Sequence, residues 1–218
     1  MNTTLSNLIP LAQPYNAAPW NYAGTESVTS IPAGVVDWVL IELRDASTAA
    51  AATSATIIKK RAGFLLSNGS IVDLDGTSQP YIGNPVVANN LYIVIRHRNH
   101  LAIMSNAGAS LSTGVYSYDF TTALAQAYGG GTGYKAIGSL FGMVVGDDNN
   151  DGSVNILDYN PWAINFQKAS GYYTADLNFD GSINILDYNK WALNFNAVNN
   201  ANLKSAPIHS EYISNVPK

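Results

Sequence analysis

Between Asp147 and Gln167 the chain reads DDNNDGSVNILDYNPWAINFQ, and twenty-nine residues on, from Asp176 to Asn196, it reads DLNFDGSINILDYNKWALNFN. Fifteen of the twenty-one aligned positions are identical. A repeat this close requires two copies of one structural unit, whatever the rest of the chain does. Each copy carries D-x-N-x-D-G with a further Asp in twelfth place, the spacing of a twelve-residue calcium loop. In the first copy Asp147, Asn149, Asp151 and Asp158 fill the first, third, fifth and twelfth places; in the second, Asp176, Asn178, Asp180 and Asp187 do so. Gly152 and Gly181 stand sixth, where the sharp turn needs a backbone that a Cβ would obstruct. Ser153 and Ser182, in seventh place, would offer backbone carbonyls. Asn155 and Asn184, in ninth place, suit a water-mediated contact and can also cap a following helix.

This spacing suits a hard divalent cation, which takes six to eight oxygens at roughly 2.3–2.6 Å. Alternate residues at the start of a winding loop can present side-chain oxygens to one side of the ion, and the twelfth carboxylate closes the other. Of the fifteen Asp and Glu residues in the chain, seven fall in these two loops: Asp147, Asp148, Asp151, Asp158, Asp176, Asp180 and Asp187. Like charges packed this densely repel, so binding of two Ca2+ ions and folding of this region are expected to be coupled.

Tyr159, Trp162, Ala163 and Phe166, and likewise Tyr188, Trp191, Ala192 and Phe195, follow the i, i+3, i+4, i+7 spacing of one helical face. Two such faces can pack across a pseudo-twofold axis. In the first copy Pro161 disfavours a helix begun at Ile156, because it removes a hydrogen bond to Leu157, and the sequence predicts a start at Pro161 with Asn160 as cap. No helix-like segment precedes either loop, so these are loop-then-helix halves of an EF-hand. The pattern resembles dockerin modules, with their duplicated loop-helix calcium sites, Asp in twelfth place, and the wording of Gly146 to Asp158. That resemblance covers residues 146–196 and implies secretion, calcium-dependent folding and a role in holding proteins together. Where cohesin-binding dockerins present polar pairs in the tenth and eleventh places, this chain has Ile156-Leu157 and Ile185-Leu186, which tells against cohesin-style recognition.

Ahead of the repeat the periodicity is that of strands. VVDWVLIELRD from Val35 is β-branched and aromatic, Asn68-Gly69 sits between apolar runs as a hairpin turn, and Leu91 to Arg96 reads as another strand. GVYSYDF alternates, a short helix is predicted over residues 121–128, and KAIGSLFGMVVG reads as a last strand entering the repeat. YGGGTGYK fits no phosphate-binding fingerprint and reads as a flexible linker. Trp38 and Tyr92 are expected in the core. The fold class this implies is mainly β: an antiparallel β-sandwich, immunoglobulin-like or prealbumin-like, followed by a small α-helical dockerin-like double calcium-loop module. The expected divisions are an extended N-terminal arm (1–32), the sandwich (33–145), the module (146–197) and a C-terminal tail (198–218).

The formal charge of −4 and the absence of a basic run longer than Lys59-Lys60-Arg61 argue against nucleic acid and basic membrane surfaces as partners. With no cysteine there is neither a disulfide nor a thiolate site. No apolar stretch approaches the length of a bilayer span. His97 and His100 in RHRNH lack a third ligand or carboxylate at a recognisable spacing and read as polar residues at a strand end. No catalytic signature is visible, and the expectation is no enzyme. The wider chain, with VVDWVLIELRDA and YIVIRHRNHLAIMS, resembles the C-terminal β-sandwich and dockerin-like region of long secreted bacterial surface proteins, which implies an extracellular, cell-surface setting. The apolar arm with Leu5, Leu8, Ile9 and Leu11 points to a structural subunit that forms a homo-oligomer or filament through that arm. The alternative is an anchoring or adhesion module with a protein receptor or glycan as partner.

Overall fold

The longest β-branched and aromatic run becomes β1 (Val35–Ala46), and nearly every residue in it is buried. A strand apolar on both faces must lie in the middle of a sheet with both sides covered. Such is its position in the protein, a computed structural model that describes residues 1–204. The part of the expected C-terminal tail beyond Lys204 lies outside the described residues. β1 is flanked by β2 (Ile57–Leu66) and β4 (Asn90–His97), with β3 (Ile71–Val72) and β5 (His100–Met104) at the edges, giving an antiparallel sheet of order β3-β2-β1-β4-β5. Gly69, at φ 94°, makes the β2–β3 turn where Asn68-Gly69 predicted it.

Alternation along β1 divides its side chains between two cores. Trp38 and Leu40 face one side with Ala62 and Phe64 of β2, and the Trp38 and Phe64 rings lie 4.1 Å apart. Val39, Ile41 and Leu43 face the other side with Leu91, Ile95 and Ile103. Over this second face pack residues of two separate two-stranded hairpins, β6 (Ser110–Ser112) with β7 (Val115–Ser117) and β8 (Tyr134–Ile137) with β9 (Leu140–Met143). The described residues are thus mainly β, with antiparallel sheets and two short helices. The second layer of the sandwich is a pair of hairpins, not one continuous sheet.

The first face is covered by the N-terminal segment. Leu5, Ile9 and Tyr15 are buried against Trp38, Leu40 and Phe64; the Trp38 indole N–H donates to the Pro10 carbonyl at 2.8 Å, and the Tyr15 hydroxyl donates to the Trp38 carbonyl at 2.7 Å. The apolar arm therefore lies against its own chain. Leu5 and Ile9, which carried the expectation of an arm reaching to the next subunit, belong to this core.

Three other expectations are corrected. In place of a helix over 121–128 there is a single 3-10 turn, Leu124–Gln126. The backbone beyond it is claimed by β5: the Tyr128 N–H donates to the Met104 carbonyl at 2.8 Å, and the Asn106 N–H donates to the Gln126 carbonyl at 2.9 Å. Such tertiary bonds override weak helical propensity. The predicted last strand is instead the β8–β9 hairpin, folded at Gly138 with φ 63°. The glycine-rich stretch before it is no linker, because Tyr134 is buried in the second core and a Cβ on Gly133 would come within 3.3 Å of Leu101 and Asn199.

Helices α1 (Ile156–Asn165) and α2 (Ile185–Leu193) each follow one of the duplicated loops. α1 begins at Ile156 and carries Pro161 inside it, against the expected start at Pro161. Its start is fixed by the loop. Asn155 Oδ1 accepts from the Leu157 N–H at 2.8 Å while Asp158 Oδ2 accepts from the Asn155 N–H at 2.8 Å, a capping box that α2 repeats with Asn184 and Asp187. After α2 the chain runs back to the sheet. Arg44, buried and paired with Glu42 at 2.6 Å, donates to the Asn202 carbonyl, and Arg96 donates to that of Leu203. Among the described residues no helix is long and apolar enough to cross a membrane.

Candidate functional site

The two loops have matching backbones. The fourth and sixth positions of each take positive φ: Asn150 at 56° and Gly152 at 87°, Phe179 at 61° and Gly181 at 84°. At Gly152 and Gly181 a Cβ would also strike Asn199 and Leu8 respectively, at 2.6 and 2.8 Å. The carboxylates of the first, fifth and twelfth places gather the backbone N–H groups of the loop. Asp147 Oδ2 accepts from Gly152 at 3.2 Å, Asp151 Oδ1 from Ser153 at 2.9 Å, and Asp158 Oδ1 from Asn149 at 3.1 Å. In the second loop Asp176 Oδ2 accepts from Gly181 at 2.9 Å, Asp180 Oδ1 from Ser182 at 2.9 Å, and Asp187 Oδ1 from Leu177 and Asn178 at 2.8 and 3.2 Å. The Asn149 and Asn178 amides donate to Asp151 and Asp180.

All twelve sequence-predicted positions, from Asp147 to Asp158 and from Asp176 to Asp187, thus sit in two like-shaped turns. Among the described residues, however, no three His, Cys, Asp or Glu side chains are gathered as a metal centre of those types alone requires. The donors available are mixed oxygens: carboxylates, the Asn149 and Asn178 amides and the Ser153 and Ser182 carbonyls. That chemistry suits Ca2+ and no softer ion. One observation fits a cation directly: Asp147 Oδ1 is buried and has no hydrogen-bond partner among the described residues.

Electrostatics point the same way. Burial, reinforced by Asp158 and Asp151, pushes the Asp147 carboxyl up to about 8. Burial likewise lifts Asp158 and Asp176 to about 6, and raises Asp187. Groups raised above their unfolded values bind protons better in the folded chain, so the stability they contribute is complete below pH ~4 and fades as the pH climbs through the folded values. Buried His100 is shifted the opposite way and favours folding above its unfolded value of 6.5. In chelator, therefore, the thermal midpoint should fall between about pH 7 and 8.5, where Asp147 titrates. A cation held by these carboxylates would bind more tightly over the same interval, because its ligands must be deprotonated. Thermal scans in chelator across this range test the first expectation, and a midpoint that rises with pH would contradict it.

The two helices meet reciprocally. The Trp162 indole N–H donates to the Asn184 carbonyl at 2.8 Å, and that of Trp191 donates to the Asn155 carbonyl at 3.1 Å, so each helix closes the loop end of the other. Tyr159, Trp162, Tyr188 and Trp191 form one aromatic cluster, with ring centroids 5.3–6.3 Å apart. Trp191 reaches a buried core shared with Leu101, Val144, Val154 and Leu177. Phe166 and Phe195, expected inside, are partly exposed. The tenth and eleventh positions face solvent: Ile156 is 61% exposed, Leu157 55%, Ile185 55% and Leu186 54%. Ile164 and Leu193, also equivalent to each other, are still more exposed. An open apolar depression lies between the helices, lined by Ile156, Tyr159, Trp162, Ile185, Tyr188 and Trp191.

Periodicity placed Tyr159, Trp162, Tyr188 and Trp191 at the contact, but Ala163, Phe166, Ala192 and Phe195 of the same stripe are exposed, because a short helix on a loop scaffold has little of its length against the core. Asp148 in second place is also more than a spectator. It is buried with both carboxylate oxygens unpartnered among the described residues, and its only sequence signal is that Leu177 stands at the matching position.

No protein-family model matches the chain, and no curated protein matches it. Among solved structures, the chain is similar to one from Acetivibrio cellulolyticus, an N-terminal interface mutant of a type II cohesin–X–dockerin complex. The two are 19% identical; the alignment covers 73% of this chain and 81% of that one, with a TM-score of 0.36, too low to equate the two folds.

Proposed function

We propose that this protein is a non-enzymatic, calcium-dependent protein-binding module of a secreted assembly, docking through the outer face of α1 and α2. In this reading Asp147, Asn149, Asp151, the Ser153 carbonyl and Asp158 hold one Ca2+, with Asn155 contacting it through water. Asp176, Asn178, Asp180, the Ser182 carbonyl, Asn184 and Asp187 do the same for the second. Bound calcium neutralises the buried carboxylates and fixes both helix starts, since Asp158 and Asp187 also belong to the capping boxes.

The observation that carries the docking role is the exposure of the same apolar pair, Ile-Leu, at the head of both helices beside an aromatic-lined depression. Contiguous apolar surface on a charge-poor protein marks an interaction site, and aromatic anchors at its centre suit a protein partner. Assembly into a filament through the N-terminal arm has lost its basis, because the arm covers this chain's own Trp38 and Phe64.

The test uses the full chain as bait against the extracellular fraction of the organism that makes it. One defined protein should be retained in millimolar calcium and released by chelator. It should also be lost from the Ile156→Asp, Leu157→Asp, Ile185→Asp, Leu186→Asp variant. Retention indifferent to that variant would sink the docking face, and a wild-type chain that polymerises in calcium on its own would restore self-assembly.

A further inference from the structure

The copies of the repeat are identical at most positions, yet within the ligand loops, besides a conservative Val154 against Ile183 in the eighth place, they part at the second, Asp148 against Leu177, and the fourth, Asn150 against Phe179. In the fold these differences meet one object. The tight turn between β4 and β5, His97-Arg98-Asn99-His100, is pushed between the two loops, and Arg98 and Asn99 are almost completely buried there.

Each loop bonds to this turn. From the first, the Asn150 amide donates to the Arg98 carbonyl at 2.7 Å, and the Gly146 N–H, just ahead of the first ligand, donates to the Asn99 carbonyl at 2.8 Å. Toward the second, the Asn99 amide donates to the Thr174 and Asp176 carbonyls at 2.7 and 3.1 Å. The Arg98 guanidinium bonds the Tyr173 carbonyl and lies 4.3 Å over the Tyr172 ring and 5.4 Å from that of Phe179. Phe179 stacks at 5.9 Å on His100. Asn150 and Phe179 hold the equivalent fourth place, at φ 56° and 61°, a left-handed conformation that a residue with a Cβ keeps only where its surroundings hold it. What holds it is the same turn in both cases, by a hydrogen bond on one side and by ring and guanidinium contacts on the other.

We propose that Arg98 and Asn99 are positioning residues for both calcium sites: the hairpin tip sets the curvature of the two loops from outside, so that the sheet domain tunes how tightly each holds its ion. The proposal rests on the calcium reading of the loops. It explains why the fourth places differ, since one meets a carbonyl and the other the cationic and aromatic side of the same tip. Arg98 itself is held from behind by Asp37, whose carboxylate bonds its Nε at 2.8 Å.

Calorimetric titration of the full chain with calcium chloride decides it. The wild type should take up two ions. Asn99→Ala, which removes the amide that donates to the Thr174 and Asp176 carbonyls at the entry to the second loop, should weaken binding of one ion about tenfold, and Asn150→Ala should weaken the other by a similar factor. Arg61→Ala, which breaks the 2.5 Å pair with Asp73 away from the loops, controls for loss of stability alone and should leave both affinities unchanged. If Asn99→Ala does not fold, Asn150 carries the test, with Asn150→Gly, which takes φ 56° freely, separating loss of the hydrogen bond to the tip from backbone strain. Two ions bound by the wild type with unaltered affinities in both loop-facing variants would overturn the positioning role while leaving the calcium reading intact. No uptake by the wild type would overturn both.

Discussion

Replacing Asp37 with Ala should be among the most damaging single changes to this protein, costing about 3–5 kcal/mol in chemical denaturation and lowering the thermal midpoint by roughly 10 °C. The carboxylate is fully buried and accepts from three donors at once, Arg98 Nε at 2.8 Å, the Tyr172 hydroxyl at 2.6 Å and the Trp38 N–H at 2.7 Å, with His97 Nε2 3.1 Å away. Burial alone would raise its pKa, but Arg98 and His97 outweigh burial and hold it well below the usual carboxylate range. Removing it strands the Arg98 guanidinium in the interior, and an uncompensated buried charge is what makes broken internal ion pairs expensive. The loss should be somewhat larger in calcium than in chelator, because Asp37 also holds the Arg98 side chain against the two loops. A loss under about 1 kcal/mol would mean that Arg98 had turned to another carboxylate, and Asp148, which it already influences, is the available one.

The second large effect should depend on conditions. In saturating calcium, Asp187→Ala should lower stability by roughly 3–4 kcal/mol, of which about 1 kcal/mol persists in chelator. The persistent part is the loss of backbone bonds that Asp187 accepts without an ion, from the Asn184 N–H at 2.9 Å in the capping box and from Leu177 and Asn178 at 2.8 and 3.2 Å. The remainder is binding energy: a ligand at a hundred times its Kd adds about 2.7 kcal/mol to the folded state. Paired thermal melts with calcium and with chelator separate the two parts. Equal losses in both buffers would show that the loop is held by its hydrogen bonds alone.

The parts of the fold that were legible in the sequence are those specified by neighbours along the chain. β1 announced itself by its unbroken apolar run, the β2–β3 turn by Asn68-Gly69, and the twin loops by their repetition. What stayed hidden depends on partners far away in sequence. Nothing near Asn99 signals that its amide will cap carbonyls at Thr174 and Asp176, and Leu5 looks like an arm residue until Trp38 is seen to need a cover. Pro161 misled for a related reason. Its local cost is real, but the loop's own cap at Asn155 fixes where α1 starts, and Trp162 is secured across the dyad by the Asn184 carbonyl.

The path of the chain after α2 bears on how the protein responds to tension. Residues 196–199 run back alongside the first loop, where Asn196 and Val154, Val154 and Ala197, and Asn199 and Gly152 exchange backbone bonds at 2.7–3.0 Å. Beyond them Asn202 and Leu203 are gripped through their carbonyls by Arg44 of the central strand β1 and Arg96 of its neighbour β4. A pull applied at Lys204 is therefore taken up first by the centre of the sheet. The duplicated turns lie behind that anchor, sheltered from the strain until it gives way.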